Sequence, residues 1–185
     1  MKPLVIAFTL ALAGALGAAN ALAVDFPTLK PGMWESQLAR DGAGQKSPTM
    51  RMCMDASLQK EMMEAGMGTM KELCTKNDIR REGNKMYGNS ECKFGESTMK
   101  SSSVTTFTGD TAYHTEVKAT YDPPMAGKAG GTTVIDAKWT GPCPSGMQPG
   151  DVILPDGRKI NMRTMAPPNM APSNTAPPKT AAPPK

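Results

Sequence analysis

The sequence predicts a mainly β protein, an antiparallel meander forming a curved sheet or open barrel, with one short helix and two disulfides. Three observations lead there. Apolar and polar residues alternate through much of the central chain, glycine-led turns recur between those stretches, and Cys53, Cys74, Cys92 and Cys143 make an even cysteine set. Alternation with a period of two marks half-buried strands, and short turns join them as antiparallel neighbours. A β-sandwich is the alternative packing of the same strands.

The elements follow in order. Met33 to Arg40 alternates, with Trp34, Ser36 and Leu38 on one side and Glu35 and Gln37 on the other. A turn over Asp41 to Lys46 leads to a second strand, Pro48 to Met54. Asp55 or Ser57 can cap a helix over about 56–65, whose apolar side is Leu58, Met62 and Met63. Gly66 and Gly68 are expected to end it. Thr75–Glu82 and Lys85–Phe94 flank Gly83-Asn84, a two-residue hairpin turn with glycine first, as type II′ prefers. That register sets Glu82 opposite Lys85 and Lys76 opposite Glu91. A second hairpin, Met99–Thr108 with Thr111–Tyr121, turns at Gly109-Asp110 and puts Val104, Tyr113 and Val117 on one face. Thr133–Thr140 is a further strand, with Ile135, Ala137 and Trp139 alternating against Asp136 and Lys138. Asp151–Leu154 and Arg158–Met162 close the chain's ordered part around the turn Pro155-Asp156-Gly157.

The ends of the chain have a different character. Lys2 followed by the apolar run Leu4–Ala19 and by Ala21-Leu22-Ala23 reads as a secretory signal cleaved after Ala23, residues 1–23 being removed. The run is shorter than the roughly 20 apolar residues of a membrane span, so no stable span is expected once the signal is gone. Residues 164–185 repeat Ala-Pro-Pro at 166–168, 176–178 and 182–184, and read as a disordered tail. One disulfide-stabilised β-rich domain over 24–163 lies between. Loss of Lys2 leaves 20 of the 21 basic side chains against 17 acidic ones, a formal +3. That balance is too mild and too scattered for a nucleic-acid partner.

An oxidising compartment, here the periplasm, makes the four cysteines two disulfides. Three pairings are open. Cys74 and Cys92 bracket one hairpin and are the favoured pair, which leaves Cys53 with Cys143. A strict two-residue turn would set Cys74 opposite Lys93, on the wrong face for a bridge, and a bulge would restore a common face. No Cys-x-x-Cys occurs, so the bridges read as structural.

Several segments together resemble an exported bacterial family catalogued as domain of unknown function 3617. They are Lys30-Pro31-Gly32-Met33-Trp34-Glu35, Arg51-Met52-Cys53, the Cys74–Cys92 stretch, Trp139-Thr140-Gly141-Pro142-Cys143-Pro144 and Met147-Gln148-Pro149-Gly150-Asp151. The likeness covers about residues 28–163 and implies export, two disulfides and a β-rich domain. It implies no catalytic residue.

The residues themselves give little chemistry. His114 is the lone histidine; it falls opposite Thr105, on the strand side carrying Glu116 and Lys118, and reads as solvent-facing rather than as a general base. No catalytic residue and no cofactor is expected. Methionine is the compositional oddity, at 16 residues. Met50, Met52 and Met54 alternate beside Cys53 and could offer thioethers to Cu(I), although adaptable core filling explains them as well. The leading expectation is a non-enzymatic binding module of the cell envelope, taking a small apolar ligand or an envelope component. Its pocket would draw on Trp34, Leu38, Tyr113, Val117 and Trp139. A methionine-based Cu(I) protein is the alternative.

Overall fold

The computed structural model describes residues 24–41 and 47–165; the predicted signal segment and nearly all of the predicted tail lie outside the described residues. Nine strands form one antiparallel sheet in the order β3-β4-β5-β6-β7-β1-β2-β8-β9. They are β1 (Gly32–Arg40), β2 (Met50–Met54), β3 (Cys74–Glu82), β4 (Lys85–Phe94), β5 (Ser97–Thr108), β6 (Ala112–Met125), β7 (Lys128–Gly141), β8 (Asp151–Ile153) and β9 (Lys159–Asn161). Helix α1 (Ala56–Leu73) joins β2 to β3, and the short α2 (Met162–Met165) follows β9. The sheet is open, and all its strands lie in one layer, so the sandwich alternative does not hold.

The meander from β3 to β7 is built by local turns. Gly83 takes φ +58°, as the first position of a type II′ turn requires, and Glu82 pairs with Lys85 as the sequence predicts. Lys76 and Glu91 also pair, their charged groups 3.4 Å apart. A second glycine-led turn, Gly95-Glu96, brings Phe94 opposite Ser97, so β5 starts two residues before the expected Met99. The β6–β7 hairpin is longer than predicted because it turns at Ala126-Gly127, with Met125 opposite Lys128. Asp122-Pro123-Pro124 had concealed that extension: prolines normally end a strand, and here the ladder is interrupted between Thr120 and Met125 to accommodate them.

The register of the β5–β6 hairpin differs from expectation by one residue. Thr108 pairs with Ala112, so Gly109, Asp110 and Thr111 form the loop. Thr111 is drawn toward β7, its carbonyl accepting from Trp139 N at 2.7 Å. A one-residue slip exchanges faces. Val104 therefore lies opposite Glu116 on the far side, and Phe107 replaces it on the face of Tyr113 and Val117. His114 lies opposite Thr106, not Thr105.

Helix α1 is the other correction. Asp55 caps it, accepting from Leu58 N at 2.7 Å. It then runs through Gly66 and Gly68 to Leu73, instead of ending near residue 65. Neither glycine takes positive φ. An interior glycine costs a helix only about 1 kcal/mol, so topology can override it. The topology makes a demand: α1 must cross from β2 to the far edge of the sheet, six strand positions away. Its 18 residues span about 27 Å. Six steps of about 4.8 Å come to roughly 29 Å, the same scale. A helix stopped at residue 65 would leave the chain in mid-crossing.

Both disulfides have the favoured pairing, Cys74–Cys92 and Cys53–Cys143. An irregularity between Cys74 and Lys76 brings Cys74 directly opposite Cys92, which is the bulge the hairpin needs. The main buried cluster is Trp34, Met54, Leu58 and Ala137, where the first turns of α1 meet β1, β2 and β7. At the C-terminal end of the described residues Thr164 Oγ1 donates to Asn161 O, and Arg163 reaches Glu61 of α1 at 2.8 Å.

Ala126 is the one non-glycine residue with positive φ among the described residues, at +50°. Two-residue turns with both centres at positive φ favour Asn-Gly. Ala126→Asn is therefore expected to raise stability by about 0.5–1 kcal/mol, read from urea unfolding monitored by circular dichroism. An unchanged or lower midpoint would mean that the turn is not strained by alanine.

Candidate functional site

Alternation along the paired strands decides which residues look toward α1. Trp34 is in register with Trp139, Ser36 with Ala137, and Met52 with Trp34. Tyr113 pairs with Ala137 and Phe107 with Tyr113, so these share the helix-covered face. Between this face and α1 lies a chamber of about 280 Å³. The sheet contributes Trp34, Met52, Met54, Phe107, Tyr113 and Ala137, while α1 contributes Gln59, Met62 and Met63. Phe26, Pro27 and Leu29, ahead of β1, close one side. Polar wall atoms come from Ser36, Thr105, Thr115 and Gln59.

Aromatic packing and neutral polar groups set the character of this space. Trp34 and Tyr113 stack with centroids 5.9 Å apart, and Phe107 meets Tyr113 at 6.2 Å. Burial pushes the Tyr113 phenol up from its ordinary value, so it remains a neutral wall. Thr105 and Thr115 hydroxyls bond each other at 2.9 Å across β5 and β6. Gln59 fastens the segment before β1: its Oε1 accepts from Leu29 N at 3.1 Å, and its Nε2 donates to Pro27 O at 2.7 Å. One amide thus holds a whole wall of the chamber to the helix.

Of the five predicted pocket residues, Trp34 and Tyr113 line this chamber. Val117 lines a second space of about 200 Å³ farther along the same face. Leu38 pairs with Ile135 beyond the lining. Trp139 packs against the core from outside the chamber; its Nε1 donates to Pro31 O at 3.0 Å and Lys30 Nζ sits 4.0 Å over its ring. Of the predicted thioether trio, Met52 and Met54 reach the chamber, whereas Met50 is 46% exposed. The described residues hold no group of three or more His, Cys, Asp or Glu suited to a metal ion. Phe26, Pro27, Leu29 and Gln59 were not foreseen. Nor was Phe107, which the observed register puts opposite Tyr113.

His114 lies on the opposite face, its Nδ1 2.6 Å from Asp136 Oδ1, with about half of each side chain exposed. Glu35 and Lys138, 3.6 Å apart, lie on the same side. This exposed charge cluster lines a separate space that meets the apolar chamber only at Tyr113 and Ala137.

The segments singled out in the sequence turn out to build the frame around the chamber. Trp34 Nε1 donates to Lys30 O at 2.9 Å, so both indoles hold the Lys30-Pro31 backbone. A Cβ on Gly32 would collide with Gly141 O and Trp139 Nε1, which leaves glycine as the residue that fits. Gly150 N donates to Cys53 O at 2.9 Å, joining the loop before β8 to β2. Asp151 is 6% exposed and accepts from Gln148 N at 2.9 Å, Asn161 Nδ2 at 2.8 Å and Lys159 Nζ at 3.2 Å.

Chiefly through the Gln148 hydrogen bond, then through Asn161 and Lys159, the Asp151 carboxyl is held below the ordinary aspartate value of 3.8. A carboxylate with a lowered folded pKa stabilises the protein above its unfolded pKa, and that contribution fades as pH falls through the folded one. Asp151→Asn is expected to lower the unfolding midpoint at neutral pH, with the gap to the unsubstituted protein narrowing below pH 3.8. Thermal melts across an acid series check this. A gap that stays constant with pH would remove the carboxylate from the account.

A family model described as protein of unknown function (DUF3617) matches residues 29–143. The match runs from the clamped segment before β1 to the second cysteine of the β2 bridge, and the Met147–Asp151 likeness lies beyond it. Comparison with curated proteins and with solved structures finds no match.

Proposed function

The chain belongs to the DUF3617 family, and on that premise we propose that it is an exported, non-enzymatic binding module of the cell envelope that holds a small apolar ligand between α1 and its sheet. The chamber of about 280 Å³ carries this reading. It lies near the lower end of the roughly 300–1,000 Å³ of small-molecule sites, and like them it combines apolar and aromatic walls with a few polar groups. Two disulfides suit an oxidising compartment such as the periplasm. None of the described helices is long and apolar enough to cross a membrane.

The Cu(I) reading has less support. Met52, Met54, Met62 and Met63 do line one chamber, but they share it with Trp34, Phe107 and Tyr113, and Met50 is outside. Thioethers among aromatic rings are the adaptable lining of an apolar site.

Two measurements test the proposal. Solvent extracts of the purified, disulfide-bonded protein should contain a copurified hydrophobe by mass spectrometry, and the stripped protein should bind the neutral fluorescent probe N-phenylnaphthylamine. Ser36→Phe places a ring in the chamber from a half-buried strand position. It should weaken the probe by at least about tenfold. Its stability change should stay within about 1–3 kcal/mol. An empty protein that ignores the probe would sink the carrier reading, and stoichiometric Cu(I) binding lost in Met52→Leu with Met54→Leu would replace it.

A further inference from the structure

The helix-covered face holds a second space of about 200 Å³, in which serine hydroxyls interrupt an otherwise apolar lining. Ser90, Ser101, Ser103 and Asn77 line it beside Ile79, Met86 and Val117 of the sheet, with Met70 of α1 above. Thr105 lines both spaces, so they meet on β5. Met62, Met63 and Met70 lie two helical turns apart on one side of α1, which roofs both. The hydroxyls arise from alternation in Ser101-Ser102-Ser103: Ser101 pairs with Ser90 and Ser103 with Gly88, all toward the helix. A Cβ on Gly88 would lie 2.7 Å from Ser103 Oγ, so the glycine leaves room for that hydroxyl. Ser90 and Ser101 Oγ atoms are 2.7 Å apart.

No Asp, Glu, Lys, Arg or His lines either space. An ionic headgroup placed here would lose water without gaining a countercharge, which is costly. Hydroxyls and amides both donate and accept, and so suit other hydroxyls. Building on the carrier reading, we infer that the ligand is a neutral amphiphile, with a short apolar chain in the first chamber and an uncharged, hydroxyl-bearing headgroup in the second.

Calorimetric titration of the stripped full chain with decyl glucoside, monodecanoylglycerol, decanoate and decyltrimethylammonium, each below its micelle-forming concentration, tests this. The two neutral probes should bind at least about tenfold more tightly than the two ions. Ser103→Leu, which fills the second space, should remove most of that advantage while N-phenylnaphthylamine binding persists. Equal affinity for all four probes, or preference for an ion, overturns the headgroup inference and leaves the apolar site standing. Failure of all four and of N-phenylnaphthylamine overturns the carrier reading as well. If Ser103→Leu does not fold, the discrimination shown by the unsubstituted protein decides alone.

Discussion

The crossing of α1 from β2 to β3 is the constraint on which the rest of the structure depends. Every other connection within the meander is a short hairpin turn, satisfied locally. This one must carry the chain from the seventh sheet position to the first. A helix does so with its backbone hydrogen bonds internally satisfied, which an extended loop over an apolar face could not. The consequence is a roof. Leu58 anchors it into the Trp34 cluster at one end, and Cys74, directly after Leu73, ties the other end to β4 through Cys92. Between those anchors the sheet face is spanned, and the space beneath is what remains.

A second constraint makes the crossing necessary. β1 comes first in the chain yet sits inside the sheet, between β7 and β2. Its entry is fixed by the two indoles on the Lys30 and Pro31 carbonyls and by the close approach of Gly32 to Gly141. Cys53–Cys143 then links β2 to the segment leaving β7, the two flanks of β1. With β1 and β2 placed beyond β7, β3 can begin the meander only at the opposite edge. The recognisable sequence signatures therefore describe the insertion of β1, and two of their residues, Trp34 and Met52, also line the chamber.

This division also explains what could be read from the chain. Alternation and glycine turns are local signals, and they gave the strands, the Gly83-Asn84 hairpin and the Cys74–Cys92 pair. The slip at Thr111 was not local: that residue is pulled out of the expected turn by Trp139 of β7, and the slip moved Phe107 onto the helix-covered face. The length of α1 is likewise a property of sheet order, invisible to a propensity reading that stops at Gly66. Trp34 and Tyr113 were found because they are large apolar residues on correctly read faces. Phe26, Pro27 and Leu29 lie outside any regular element, so no periodicity marks them, and only the Gln59 amide reveals their position.

Packing is uneven across the sheet. Trp34, Met54, Leu58, Ala137 and Val152 are buried at the β7-β1-β2-β8 side. Toward β3 and β4 the buried apolar side chain is Cys92, and under the helix there Ser90, Ser101 and Ser103 are interspersed with the half-buried Ile79, Met86 and Val117. Along α1 itself Met62, Met67 and Leu73 are exposed at 40%, 41% and 36%. Leu58 and the Asp55 cap hold the start of α1, and the Cys74–Cys92 bridge fastens the chain at its end, so the roof is fixed at both ends over a sheet that is packed most densely near its start.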